Sequence, residues 1–187
     1  MNTPPTGSIL IRGGLLFTGE EAEPTVGDVL VEGNRITQVA ESINQAADEV
    51  IDASGCWVLP GMIDAHSHPE AFIDSPDPDE RITLPWIAQG VTTLVTGVDG
   101  FGDHDLAGLE QRRTRAGIGV HVMPFVGFGS IRERVLGQAD RPAAPDEIEQ
   151  MRQLVAAGMQ AGGFGLSTGL FYAPQSFAPT EAVSYTH

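Results

Sequence analysis

The chain contains no lysine; all ten of its basic residues are arginine. That excludes a Schiff-base lysine, a phosphate-binding lysine of the Walker type and a carboxylated-lysine metal bridge from these 187 residues. Positive charge is scarce altogether, with 10 basic against 25 acidic residues and a net charge of −15. Such a surface repels a phosphate backbone and an anionic membrane, so neither nucleic acid nor membrane is expected as a partner. A single cysteine, Cys56, rules out an internal disulfide and fits a reducing compartment. No run approaches the roughly 18 apolar residues of a membrane span. The start, "MNTPPTGSILIRGG", lacks the basic and apolar regions of a signal peptide. The expected location is the cytoplasm. Aromatic residues are few, at 6%, but apolar residues reach 41%, enough for a packed core.

What is present begins as short strands. "SILIRGGLLF" and "GDVLVEGNRITQVA" alternate apolar and polar residues, with Gly13-Gly14 and Gly33-Asn34 as turn signals. "EVIDASGCWVLPGMIDAHSH" continues in strands broken at Ser54-Gly55 and Pro60-Gly61, and no helical period shows before about residue 80. The pattern then alternates. "PDERITLPWIAQG" reads as a short helix, "VTTLVTG" as a buried strand, and "HDLAGLEQRRTRAG" as a helix. "VHVMPFVGFG" reads as a strand entering a glycine-rich loop. The strongest helix is "PDEIEQMRQLVAAGMQAGG". Pro145 suits its first position, Asp146 and Glu147 suit its positive end, and Ile148, Met151, Leu154, Val155 and Met159 form an apolar face. "FGLST" closes the series as a strand.

Strands at about 62–66, 91–96, 120–126 and 164–168, separated by helices, predict an α/β fold with a parallel sheet or barrel. Four such units make half of an eight-fold barrel, which needs roughly 250 residues. The expected division is a small β domain over 1–58 and barrel units over 59–187.

Within "PGMIDAHSHPE", His66 and His68 stand two apart near a predicted strand end. Alternate residues of a strand project to one side, so the two imidazoles point together. At the C-terminal end of a barrel strand they face the site where such folds do chemistry. Two imidazoles there suit one divalent metal, zinc being the usual choice.

"VLPGMIDAHSH" resembles the amidohydrolase superfamily, where a P-G-x-I-D-x-H-x-H stretch ends the first barrel strand. "RPAAPDEIEQMRQLVAAGMQAGGFGLSTGLFYAPQSFAPTE" and "GVTTLVTGVDGFG" narrow the resemblance to the N-acyl-D-amino-acid deacylases. The resemblance implies the N-terminal part of a (β/α)8 TIM barrel flanked by a β-sandwich-type segment. It implies zinc, one or two ions, and a small-molecule N-acyl-D-amino acid as substrate, cleaved to a carboxylate and a D-amino acid. It makes His66 and His68 metal ligands. Asp99 falls where many members have a metal-binding cysteine, and a carboxylate can replace it. Ser167, Phe171 and Tyr172 of "LSTGLFY" would contact substrate at the site's mouth. Phe128 stands where the family commonly has a histidine, so any polar role of that position is lost, whereas Arg132 is kept.

The general-base aspartate and further histidine ligands that the family implies lie beyond residue 187. His187 reads either as a remnant ligand or as an out-of-frame end, and the chain alone is expected to be incomplete, poorly stable and inactive. Two alternatives are a cyclic-amide hydrolase of the dihydroorotase or hydantoinase type and a catalytically inactive fragment. The missing lysine and "GLSTGLFY" weigh against the first.

Overall fold

Among the described residues, five strands lie in the first sixty: β1 (Ser8–Leu16), β2 (Thr25–Glu32), β3 (Arg35–Ala40), β4 (Glu49–Asp52) and β5 (Trp57–Val58). In the computed structural model, which describes residues 6–19 and 23–186, they form one mixed sheet. Its order is β3-β2-β1-β4, with β5 also paired to β1. The β1–β2 and β2–β3 pairs are antiparallel; β4 and β5 run parallel to β1. Gly33 and Asn34 make the two-residue hairpin turn that the sequence predicts. Gly13-Gly14 is not a turn. β1 runs through it as a bulge, with Gly13 at φ +70 and its N–H donating to Asp28 Oδ1 at 2.8 Å. The buried Asp28 also accepts from Ile43 N at 2.9 Å. These two backbone donors hold its carboxyl below the usual carboxylate range. Leu10, Leu30 and Ile43 pack as the core of this unit, which spans Met1–Pro60.

The second unit, Gly61–His187, is built on four parallel strands in chain order: β6 (Met62–Asp64), β7 (Val91–Thr96), β8 (His121–Gly127) and β9 (Gly165–Ser167). The sheet is the curled half-barrel of a mixed α/β fold. Between β6 and β7 lie three one-turn helices, α1 (Glu70–Ile73), α2 (Pro78–Arg81) and α3 (Leu84–Ile87). The single helix expected over "PDERITLPWIAQG" is thus broken in two. Thr83 adopts φ 56 there, a left-handed value that no α-helix accommodates, and Pro85 restarts the chain in the first turn of α3. α1 likewise precedes the point where helical periodicity was expected, because four residues are too few to show a period.

α4 (Leu106–Ala116) follows β7. After β8 the chain enters α5 (Phe128–Leu136) directly, with Gly127 as its cap, where the sequence suggested a glycine-rich loop. The reason is a buried helix face: Phe128, Ile131 and Arg132 are all fully buried. α6 (Pro145–Gln160) starts at Pro145 as expected. Met151 and Val155 face the core with Leu106, Val126 and Ile131, while Met159 is 41% exposed. In its place Gly158 is buried, because a Cβ there would stand 2.6 Å from Val126 Cγ2. α7 (Thr180–Thr186) ends the described chain, and His187 lies outside the described residues. Among the described residues no helix is long and apolar enough to cross a membrane.

Candidate metal centre

β6 stops at Asp64, so His66 and His68 lie in the loop beyond it, not in the strand whose alternation was expected to aim them. A local hydrogen bond turns the chain out of the sheet: Asp64 Oδ1 accepts from His66 N at 3.2 Å, as in an Asx turn. The two rings still meet, edge to face, with centroids 5.8 Å apart. Geometry that alternation would have given is supplied by a turn.

The third group arrives from the end of β7. Val98–Gly100 forms a short 3-10 turn in which Asp99 has φ 56 and ψ 22. Among the described residues only Thr83 and Asp99 are non-glycine residues at positive φ. Such a conformation costs of order 1–3 kcal/mol and persists only where its surroundings enforce it. Gly97 and Gly100 on either side are also left-handed, at φ 71 and φ 79. The result is that Asp99 Oδ2 stands 3.4 Å from His66 Nε2 and 3.4 Å from His68 Nε2. The three ligand atoms all lie within 4.8 Å of one another.

This spacing fits a zinc ion. Two bonds of about 2.1 Å meeting at a tetrahedral angle put their donor atoms about 3.4 Å apart. The donor types also suit it, two imidazoles and one carboxylate. All three side chains are accessible, Asp99 the least so at 28%.

Three side chains from elsewhere in the fold fasten the turn that carries Asp99. Glu70 of α1 accepts from Gly97 N through Oε1 at 3.0 Å. Ser167 of β9 donates its hydroxyl to Gly97 O and accepts from Gly100 N at 3.0 Å. Gln175 donates through Nε2 to Asp99 O at 2.9 Å and accepts from Gly169 N at 2.7 Å. Gly169 itself lies against the Asp99 carbonyl, leaving no room for a Cβ.

Ser167 is buried, and its hydroxyl both donates to and accepts from the backbone of the turn. Phe171 and Tyr172 are placed otherwise. Phe171 is 90% exposed and meets Tyr172 edge-on at 5.5 Å, while Tyr172 also packs on Phe101 at 5.1 Å. They stand on the 169–172 loop that adjoins the Asp99 turn. Sequence reading missed Gln175 and Glu70, since nothing local marks a glutamine 76 residues from its acceptor.

Phe128 is fully buried. Arg132, also fully buried, donates through Nε to Pro174 O at 2.8 Å and through its NH2 nitrogen to Ala139 O at 3.0 Å and Arg141 O at 2.7 Å. It therefore braces the loop that carries Gln175. His104 contacts Asp103 at 3.3 Å, and His121 is exposed at the start of β8; neither joins the three-residue cluster.

No protein-family profile matches the chain. An N-acyl-D-aspartate deacylase from Alcaligenes xylosoxydans xylosoxydans is 31% identical over 208 residues, covering 97% of this chain and 40% of that protein. A solved D-aminoacylase with a binuclear metal centre superposes with a TM-score of 0.84 at 30% identity, covering 95% of this chain and 42% of that one. The N-acyl-D-glutamate deacylase of Bordetella bronchiseptica, solved with zinc and a phosphonate mimic of the tetrahedral intermediate, superposes with a TM-score of 0.81 at 26% identity and covers 97% and 42%. The chain spans about two fifths of the length of these relatives. Over nearly all of its own residues the chain is similar in sequence and in fold to N-acyl-D-amino-acid deacylases of the amidohydrolase superfamily, as a partial match to their length.

Proposed function

We propose that this chain carries part of the metal site of a zinc-dependent hydrolase that cleaves the amide bond of N-acyl-D-amino acids. One observation carries the reading: two imidazole nitrogens converge on a single carboxylate oxygen at the spacing of tetrahedral zinc ligands. In this reading His66 and His68 hold the ion through Nε2 and Asp99 through Oδ2. A bound zinc ion acidifies a water and polarises a carbonyl, the chemistry that amide hydrolysis needs. The Asp99 carboxylate offsets part of the ion's charge. Phe171 and Tyr172 offer apolar surface beside the Asp99 turn for the acyl group or side chain of the substrate. The four parallel strands are read as part of a (β/α)8 barrel, the first sixty residues as part of a small β-sandwich-type domain, and the location as cytoplasmic. One or two ions fit the binuclear precedent.

The test is metal content together with stereospecific hydrolysis. Purified protein should hold at least one equivalent of zinc by mass spectrometry, and His66→Ala or His68→Ala should lose it. The full-length protein should release D-amino acids from N-acetyl-D-amino acids and leave the L-enantiomers intact. Zinc-loaded protein that opens dihydropyrimidine or hydantoin rings instead would assign the site to cyclic amides. Absence of His66-dependent zinc would remove the metal site from the reading.

A further inference from the structure

We propose that Ser167 and Gln175 are positioning residues for Asp99: they hold the Gly97–Gly100 turn so that its carboxylate reaches His66 and His68. The inference rests on the metal-site reading above. Among the described residues the Asp99 carboxylate makes no hydrogen bond to backbone; its place is set by the main chain beneath it, and that main chain is in the left-handed region, which an aspartate enters less readily than a glycine. Three backbone groups of the turn are met by these two side chains, and a fourth, Gly97 N, by Glu70. Ser167 takes Gly97 O and Gly100 N, the two ends of the turn. Gln175 takes Asp99 O itself. Both residues are buried, Gln175 completely, so water does not replace either set of bonds.

The shape of Gln175 matters as well as its bonds. Its amide ties Asp99 O to Gly169 N, and glycines at 100 and 129 leave the space it fills. Ser167 and Gln175 reach the turn from 67 to 76 residues away in sequence. They link the exit of β9 to the end of β7, so the loop bearing Phe171 and Tyr172 and the turn bearing Asp99 keep one geometry. Residues that orient metal ligands in this indirect way typically change metal affinity about 10–100-fold when removed.

The experiment is zinc titration into the metal-free full-length protein against a chromophoric chelator. The variants are Gln175→Met, Gln175→Glu and Ser167→Ala, each also made with Asp99→Ala. Gln175→Glu keeps the acceptor for Gly169 N and puts a carboxylate oxygen in place of the donor to Asp99 O. All three single variants should bind zinc about 10–100-fold more weakly. With Asp99→Ala already present, the same three changes should leave zinc affinity where Asp99→Ala alone puts it. A purely structural role predicts the opposite pattern: the metal-free unfolding midpoint falls while zinc affinity stays within twofold of the parent, or the loss is undiminished without Asp99. Either result overturns the proposal. Circular dichroism checks folding, and Ser167→Ala, which deletes one oxygen, carries the test if Gln175→Met is unfolded. Failure of the metal-site reading looks different, since the parent protein then binds no zinc that depends on His66.

Discussion

Gly158→Ala sets two effects of opposite sign against each other. Position 158 lies inside α6, where alanine is favoured over glycine by roughly 1 kcal/mol. On helix propensity alone the substitution stabilises. The structure opposes it: the new Cβ would stand 2.6 Å from Val126 Cγ2, about 1 Å inside an ordinary contact. Val126 is fully buried, lies in β8 and packs among Leu106, Ile131, Met151 and Val155. As a β-branched residue it has few rotamers to offer. Overpacking of this kind costs about 1–3 kcal/mol. The net expectation is therefore a loss of about 1 kcal/mol, which moves the thermal midpoint down by roughly 2–4 °C for a protein of this size.

Thermal and urea unfolding of Gly158→Ala, Val126→Ala and the double variant measure it. Val126→Ala alone leaves a hole, and the added methyl at 158 partly fills it. The double variant should then be more stable than the sum of the single changes by about 1 kcal/mol or more. A midpoint that rises in Gly158→Ala, or costs that add within about 0.5 kcal/mol, would refute the close approach of α6 to β8. The approach bears on the site because the same strand ends at Gly127, which lies against Gly100 of the Asp99 turn and against Gly102 just beyond it.

Glu147 accepts two hydrogen bonds from Arg141, each at 2.7 Å, and one from Ala144 N, and its pKa is lowered to about 2. Its folded pKa lies below the unfolded value of about 4.3, so its contribution is full above that value and lost as pH falls towards about 2. Glu147→Gln should flatten the stability profile across that window in acid unfolding; an unchanged profile would count against the ion pair. Arg132→Met should cost about 1–3 kcal/mol by urea unfolding, chiefly because the buried Pro174 carbonyl loses its donor; a neutral result would show that water reaches it. Met159→Gln should be neutral within about 0.5 kcal/mol, in contrast to Met151→Gln, because Met159 points outward and Met151 is fully buried.

Strand positions were legible because apolar alternation and β-branched runs are local signals. Val91–Thr96 coincides with the strand expected at about 91–96, and His121–Gly127 lies one residue on from the strand expected at about 120–126. Local signals failed where a contact distant in sequence decides the conformation. Gly13-Gly14 looks like a turn, but Asp28 holds Gly13 N and turns it into a bulge. Met159 fits the helical stripe, but Val126 needs the space that only Gly158 leaves. The glycine-rich loop expected at the end of "VHVMPFVGFG" is the start of a helix, with Phe128 and Ile131 buried.

The metal cluster divides along the same line. His66 and His68 are two apart, and any local geometry keeps them near each other; strand alternation was the wrong mechanism, and the Asp64 turn is the one observed. Asp99 is 31 residues beyond His68, and nothing in "GVDG" itself brings it to the pair. What the sequence carries in that stretch is permission: glycines at 97 and 100 let the backbone enter the left-handed region on both sides of the aspartate. Enforcement comes from Glu70, Ser167 and Gln175, one before the turn and two far after it. Ser167, which the resemblance offers as a substrate contact, is hydrogen-bonded to both ends of the turn. Its hydroxyl spans the turn, and the chemistry of the site passes through it only as geometry.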